Sequence, residues 1–245
     1  MNSKNKAILT LSVLIFSAGV LLGMAPFGSA VWGDLEATLF DVTLRGDASL
    51  TTLRCPVMMT ATESGTVTAA FKNTLERPVE FTIRTHISHG HVTLMREINS
   101  KLPLDPGETQ TLEWTVTPDD AAYGRLILVN VRLYPKYPLP ARTGTCGILV
   151  LNLPYLTGNQ IFAFTLAVSL LSMAVGAGLW VAGNRPLSGP GLDVTRAMGA
   201  LAGSVLAGTI AGLLGWWMLG VIILAITVLL IGTIIGYFMN KLGNK

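Results

Sequence analysis

The sequence predicts a membrane protein of mixed class: four transmembrane helices with an extracytoplasmic β-sandwich inserted between the first and the second. Three observations lead there. The 245 residues are 51% hydrophobic and 13% charged, with a mean hydropathy of +0.56, unlike an ordinary soluble domain. Uncharged runs long enough to cross a bilayer flank a polar central segment. Finally, the basic residues outside that central segment all fall on one side of the spans so drawn.

The first span is residues 7–27, preceded by a short N-terminus, 1–6, that carries Lys4 and Lys6. A second covers 160–183. From Ala197 to Met239 there are 43 uncharged residues, twice what one crossing needs, so the run must fold back. Gly212-Leu213-Leu214-Gly215 is the natural place for the turn, which gives spans at 197–213 and 216–239. The loop 184–196 and the tail 240–245 complete the chain. Of the 17 basic residues 11 lie between Gly33 and Thr157, with 13 of the 14 acidic ones, for a segment charge of minus two. The remaining six are Lys4, Lys6, Arg185, Arg196, Lys241 and Lys245, which places both termini and the 184–196 loop in the cytoplasm and residues 34–156 outside an inner, cytoplasmic membrane. Trp32, Tyr155, Trp180, Trp216, Trp217 and Tyr237 fall at span ends, where aromatic belts form. A cleaved signal peptide is the rival reading of the first span, since Gly28-Ser29-Ala30 resembles a cleavage site.

Residues 34–156 change character to short alternating runs punctuated by Gly, Pro, Asn and Asp. Strands are expected at 37–44, 66–73, 79–87, 92–98, 109–116, 126–134 and 146–153, about the number of a β-sandwich. Within them, "LEWTVTPDDAAYGRLILVNV" places Asp119, Ala121 and Tyr123 in an Asp-x-Ala-x-Tyr pattern before a strand. The stretch from Trp114 to Tyr123 resembles the corner preceding strand F in the immunoglobulin-like superfamily. The resemblance covers some 25 residues and implies a tyrosine hydroxyl that bonds back to nearby backbone. No cysteine follows Tyr123 by two, as one does in true immunoglobulin domains.

The two cysteines, Cys55 and Cys146, both lie in the outer segment and are expected to form a disulfide. No Cys-x-x-Cys spacing favours a redox role. All three histidines fall within "THISHGHVT". The alternation Phe81, Ile83, Ile87 turns His86 outward, and a two-residue turn at His89-Gly90 then sets His86 and His91 on one solvent face with β-carbons about 7 Å apart. A solvated hairpin tip is the first expectation. The alternatives are a copper or zinc site made of His86, His89 and His91, or a pH-sensing contact.

Metalloprotease, phosphate-loop, nucleophile-elbow and haem-attachment motifs are absent from the sequence. The expected spans contain no ionisable residue, which argues against a transporter or channel built from this chain alone. They do carry Gly-x-x-x-Gly spacing at Gly199 and Gly203, Gly208 and Gly212, and Gly232 and Gly236. Such flat grooves favour close helix packing, internal or with another protein's helix. The stretch "YPKYPLPARTG" is expected to be an extended, polyproline-like loop. Its Tyr134, Pro135, Lys136, Tyr137, Pro138, Pro140 and Arg142 offer a partner contact.

The expected function is that of a non-catalytic accessory or scaffolding subunit in a larger membrane complex. Lipids and other integral membrane proteins are its expected partners; no nucleic acid and no resident cofactor are. Copper or zinc binding through the histidines, and a cell-surface receptor or adhesion module, are the alternatives.

Overall fold

A computed structural model describes the backbone of residues 3–41, 44, 46–134 and 136–243, with side chains described from residue 7 to 234 apart from 92 and 93. The order of elements is α1 (Ser3–Phe40), β1 (Ala48–Ser49), β2 (Leu53–Arg54), β3 (Met58–Thr60), β4 (Gly65–Lys72), β5 (Val79–His89), β6 (His91–Leu104), β7 (Thr109–Val116), β8 (Leu126–Leu133), β9 (Arg142–Leu151), α2 (Gly158–Gly183), α3 (Pro190–Leu213) and α4 (Trp217–Gly243). Two compact units result: residues 29–161, and residues 1–28 together with 162–245.

In the first unit, one sheet has the order β1-β9-β8-β5-β6, with β3 also pairing β9; a second has the order β2-β4-β7. Both sheets contribute to one core. Phe81, Ile83 and Ile87 of β5 and Val129 and Val131 of β8 meet Val67 and Phe71 of β4 and Trp114 of β7. Strict alternation drives this, because period-2 residues share one face. The strand expected at 109–116 is β7; those expected at 66–73, 79–87 and 126–134 agree with β4, β5 and β8 to within two residues at their ends, and the one expected at 92–98 is β6, which runs six residues further. The one expected at 146–153 is β9, which begins four residues earlier. Cys55 and Cys146 form the expected disulfide, with Cα atoms 6.5 Å apart, and tie the loop after β2 to the middle of β9.

The strand expected at 37–44 does not form: α1 runs on to Phe40. Ala37, Phe40 and Leu44 are buried whereas Leu39 is 60% exposed, a spacing of three and four rather than two. The alternation in "ATLFDVTL" was the weaker of two periodicities. At 38 residues, α1 is about 57 Å long at 1.5 Å per residue, well beyond the first expected span. Its last turns lie on the outer face of the six-stranded sheet, where Ala37 and Phe40 pack on Leu128 and Ala122. The approach is closest at Gly33, because a Cβ on Gly147 would lie 2.1 Å from the Gly33 carbonyl oxygen.

In the second unit, four helices are long and apolar enough to cross a membrane. α3 starts at Pro190, ahead of the expected 197: proline suits a first helical turn, and Asp193 there favours the helix dipole. The fold-back occurs as expected, through a Schellman ending. Gly215 is left-handed (φ 69°), its N–H donates to the Gly212 carbonyl, and the Trp216 N–H donates to Ala211, 2.9 Å away.

Within the chain, Gly208 is the expected packing glycine described against a neighbour. Space is open beside Gly199, Gly203 and Gly232, while Gly208 abuts the Phe27 ring. Gly212 is half-buried, and the surroundings of Gly236 lie outside the described side chains. Close backbone approach is made by Gly19 of α1 and Gly176 of α2, while Gly23 of α1 meets the side chains of Ser169 and Val205. A Cβ on Gly19 would stand 2.8 Å from the Met173 nitrogen, and one on Gly176 2.6 Å from the Phe16 nitrogen. The Ser169 hydroxyl donates to the Gly19 carbonyl across this contact.

Candidate functional site: a buried polar layer under the end of α1

The face of the six-stranded sheet turned toward α1 carries a row of polar residues in register. Glu97 of β6 stands opposite His86 of β5, His86 opposite Asn130 of β8, and Asn130 opposite Thr145 of β9. The last residues of α1 and the residue after it complete the layer. Thr38 Oγ1 lies 3.2 Å from Thr145 Oγ1, and Asn130 Nδ2 donates to the Asp41 carbonyl. The Asp34 carboxylate accepts the N–H of Gly147 at 3.2 Å.

His86 is the centre. It does not point into solvent, as the alternation implied, but is 4% exposed, because the end of α1 covers this part of the face. Its Nδ1 lies 2.6 Å from Asp41 Oδ2. On the other side Nε2 stands 3.4 Å from Glu97 Oε2, close enough for attraction but too poorly aligned for a hydrogen bond. Glu97 is held by Arg84, whose Nη2 lies 2.5 Å from Oε2, and by the Asn99 amide. The hydrogen bond from Arg84, then that from Asn99, depress the Glu97 carboxyl to about 2, and the same contact raises the Arg84 guanidinium further above its ordinary range. The result is a chain of ionisable side chains: Asp41, His86, Glu97, Arg84.

Chemically this chain orients an imidazole between two carboxylates. It does not present a nucleophile. The Ser88 hydroxyl, two residues along the strand, donates to the Asp120 carbonyl and accepts the Leu128 N–H. What the layer does is anchor α1: polar pairs that would cost free energy if buried alone satisfy one another across the contact.

The three histidines therefore part company. His89 is largely exposed and approaches Asp120 at 3.8 Å, while His91 is exposed and meets the Tyr123 ring edge-on at 5.6 Å. The turn between them is the single residue Gly90 (φ 69°), with His89 paired to His91 and an irregularity in the register at Ser88 and His89. Among the described residues no three His, Cys, Asp or Glu side chains are grouped to hold a metal ion.

The corner near Tyr123 also differs from the expectation. Tyr123 is left-handed (φ 53°) and 68% exposed, so its ring swings out toward His91. Asp120 pins the corner instead: its buried carboxylate accepts the Thr117 N–H and pairs with Arg96 at 3.1 Å. The acidic residue of the sequence pattern is Asp119; its neighbour Asp120 is the clamp, which only burial and the contacts of the fold show.

The stretch 134–142 is a tight turn rather than an extended loop. Leu139 donates its N–H to the Lys136 carbonyl, the Tyr137-Pro138 peptide is cis, and Arg77 donates to the Tyr137 carbonyl. Tyr137 is 88% exposed; Lys136, Pro138, Pro140 and Arg142 are exposed beside it, while Tyr134 is half-buried under Arg132, 5.0 Å from its ring. Pro135 lies outside the described residues. This turn and the β5–β6 tip occupy opposite ends of the six-stranded sheet, because β8 ends at the turn and β5, antiparallel to it, ends at the tip.

No family model and no curated protein matches the sequence. Partial likenesses to solved structures include β-glucuronidase 2 of Bacteroides uniformis, with 17% identity over 39% of this chain and 12% of that one at a TM-score of 0.28. Another is a cycloisomaltooligosaccharide glucanotransferase of Paenibacillus, with 13% identity over 45% of this chain and 15% of that one at 0.33. The chain thus spans 12 to 15% of the length of those proteins.

Proposed function

We propose that the chain is a multi-pass membrane protein working as a non-catalytic accessory or scaffolding subunit, with both termini cytoplasmic and residues 34–156 outside as an immunoglobulin-like sandwich. The observation that carries this reading is how little the apolar helices cover one another. Within the chain 17% of the most apolar stretch of α2 is buried, and 11% of that of α4. Phe164, Leu171, Met218 and Leu229 are each more than 60% exposed. In water such surface would drive aggregation; in a bilayer it is met by lipid or by another protein's helices. A single span suffices for an anchor, so four point to helix recognition. The disulfide fits an oxidising exterior, and the one-sided Lys and Arg bias fits the orientation. The turn carrying Lys136, Tyr137 and Pro138 is the contact surface this reading offers to a partner's outer domain.

The test is mild extraction from native membranes followed by native electrophoresis and identification of co-migrating chains. A defined partner lost on removal of α4 is the expected result. A protein that migrates alone as a monomer overturns the reading.

A further inference from the structure

The β5–β6 tip lies at the end of the two-sheet unit where the chain passes into the apolar part of α1 and into α2. β9 runs toward the same end before leading to α2, and the Gly158 N–H at the start of that helix is held by Glu63 Oε1 at 2.7 Å. On α1, Gly33 lies against Gly147, whose partner Leu128 donates its N–H to the Ser88 hydroxyl next to the tip. The surface at this end is not that of a solvated loop. Leu94 is 54% exposed, Met95 41%, Trp32 57% and Tyr123 68%. Tyr155, in the connection to α2, is 93% exposed.

Beside them is a recess of about 350 Å³ lined by Glu36 of α1 and by Ala122, Tyr123, Arg125, Leu126 and Leu128. A guanidinium and a carboxylate thus flank an apolar floor. Aromatic rings at an interface, aliphatic side chains that gain by leaving water, and one charge of each sign make a surface suited to zwitterionic phospholipid headgroups. Arg125 would face the phosphate and Glu36 the quaternary or primary ammonium.

We infer that the tip formed by Leu94 and Met95, with the Glu36–Arg125 recess, rests in the headgroup layer of the bilayer and makes this end of the two-sheet unit a lipid-contacting surface. The inference rests on the reading that the helices span a membrane. It gives the exposed tip a role other than solvation: the tip adds lipid contact to an end of the unit already tied to the membrane by two chain connections.

Both native cysteines are in the disulfide, so an introduced cysteine is the sole thiol to label. Full-length protein carrying Leu94→Cys, Leu229→Cys in α4 or Glu108→Cys in the turn at the far end of the sheet is labelled with an environment-sensitive fluorophore. Each is then reconstituted in phosphatidylcholine nanodiscs containing nitroxide lipids. Quenching by a headgroup nitroxide at position 94 is expected to exceed that at 108 by about twofold or more, as for an interfacial group, with 229 quenched by an acyl-chain nitroxide. If 94 behaves like 108 while 229 is quenched, the lipid contact is overturned and the membrane reading stands. If 229 is not quenched, the membrane reading fails and the lipid contact with it. Met95→Cys, at the adjacent exposed position of β6, repeats the measurement should the first variant fold poorly.

Discussion

The two faces of the six-stranded sheet are built from the same strands and solve burial in opposite ways. On β5 the odd-numbered residues Phe81, Ile83 and Ile87 enter the apolar core shared with the second sheet, while Arg84, His86 and Ser88 face the end of α1. The first face is held by displaced water and close packing, which need size and shape only. The second is held by specific donor–acceptor pairs such as His86 with Asp41 and Asn130 with the Asp41 carbonyl, although His86 Nε2 and Asn130 Oδ1 in the same layer make no hydrogen bond. The apolar face sets how stable the unit is, and the polar face sets where α1 lies on it.

Five measurements sharpen or break this contrast. The largest effect is expected on the core side: Cys55→Ser with Cys146→Ser opens a link across 91 residues and is expected to cost about 4–5 kcal/mol by loss of chain restraint in the unfolded state. Denaturant unfolding of the full-length protein in detergent reads it, and an unchanged midpoint would place stability elsewhere. Phe81→Ala, which empties a fully buried site, is expected to cost about 3–5 kcal/mol in the same assay.

On the helix side, Gly147→Ala drives a methyl into the Gly33 carbonyl and is expected to cost about 1–3 kcal/mol by overpacking. His86→Ala, which removes the imidazole from the Asp41 carboxylate, is expected to cost about 1–3 kcal/mol. Proteolysis near residue 41 should rise with it, since the end of α1 is what the pair holds. Should His86→Ala equal Phe81→Ala in cost, the contrast between the faces disappears.

The smallest effect is the acid titration of Glu97. Its carboxyl is lowered from 4.5 to about 2, so the folded state binds its proton less readily than the unfolded chain. The stability it lends is therefore fully present above pH 4.5 and is lost as pH falls through 2. A carboxyl resonance of Glu97 titrating near 4.5 in the folded protein would contradict the Arg84 contact.

Much of the architecture was legible in the sequence. Uncharged length marks the helices, and alternation marks β4, β5 and β7, because each signal is a property of neighbouring residues and each corresponds to the face buried; β8 is instead buried on both faces. The disulfide was legible because the sequence holds only two cysteines. Helix pairing was less so. Gly19 and Gly23 have the same spacing as the glycines of α3 and α4, yet Gly19 meets the backbone of α2 and Gly23 the side chains of Ser169 and Val205, while the space beside Gly199, Gly203 and Gly232 is open. A flat groove is written in one helix, whereas its occupant is chosen by the arrangement of four.

The candidate site was the least legible part. His86 and Glu97 lie 11 residues apart and Asp41 lies 45 from His86, so no local pattern links them. His86 was assigned to solvent because its strand alternates, and that alternation is correct; a second layer simply covers the polar face too. By itself, then, the sequence determined which stretches avoid water and which strands turn an apolar face inward, since hydrophobic burial follows local periodicity. Only the tertiary structure decided that α1 outruns its apolar stretch, lies on the sheet and buries Asp41 against His86. Burying a polar group is tolerable only when a specific partner arrives, and that partner is brought by the fold, not by the neighbouring residues.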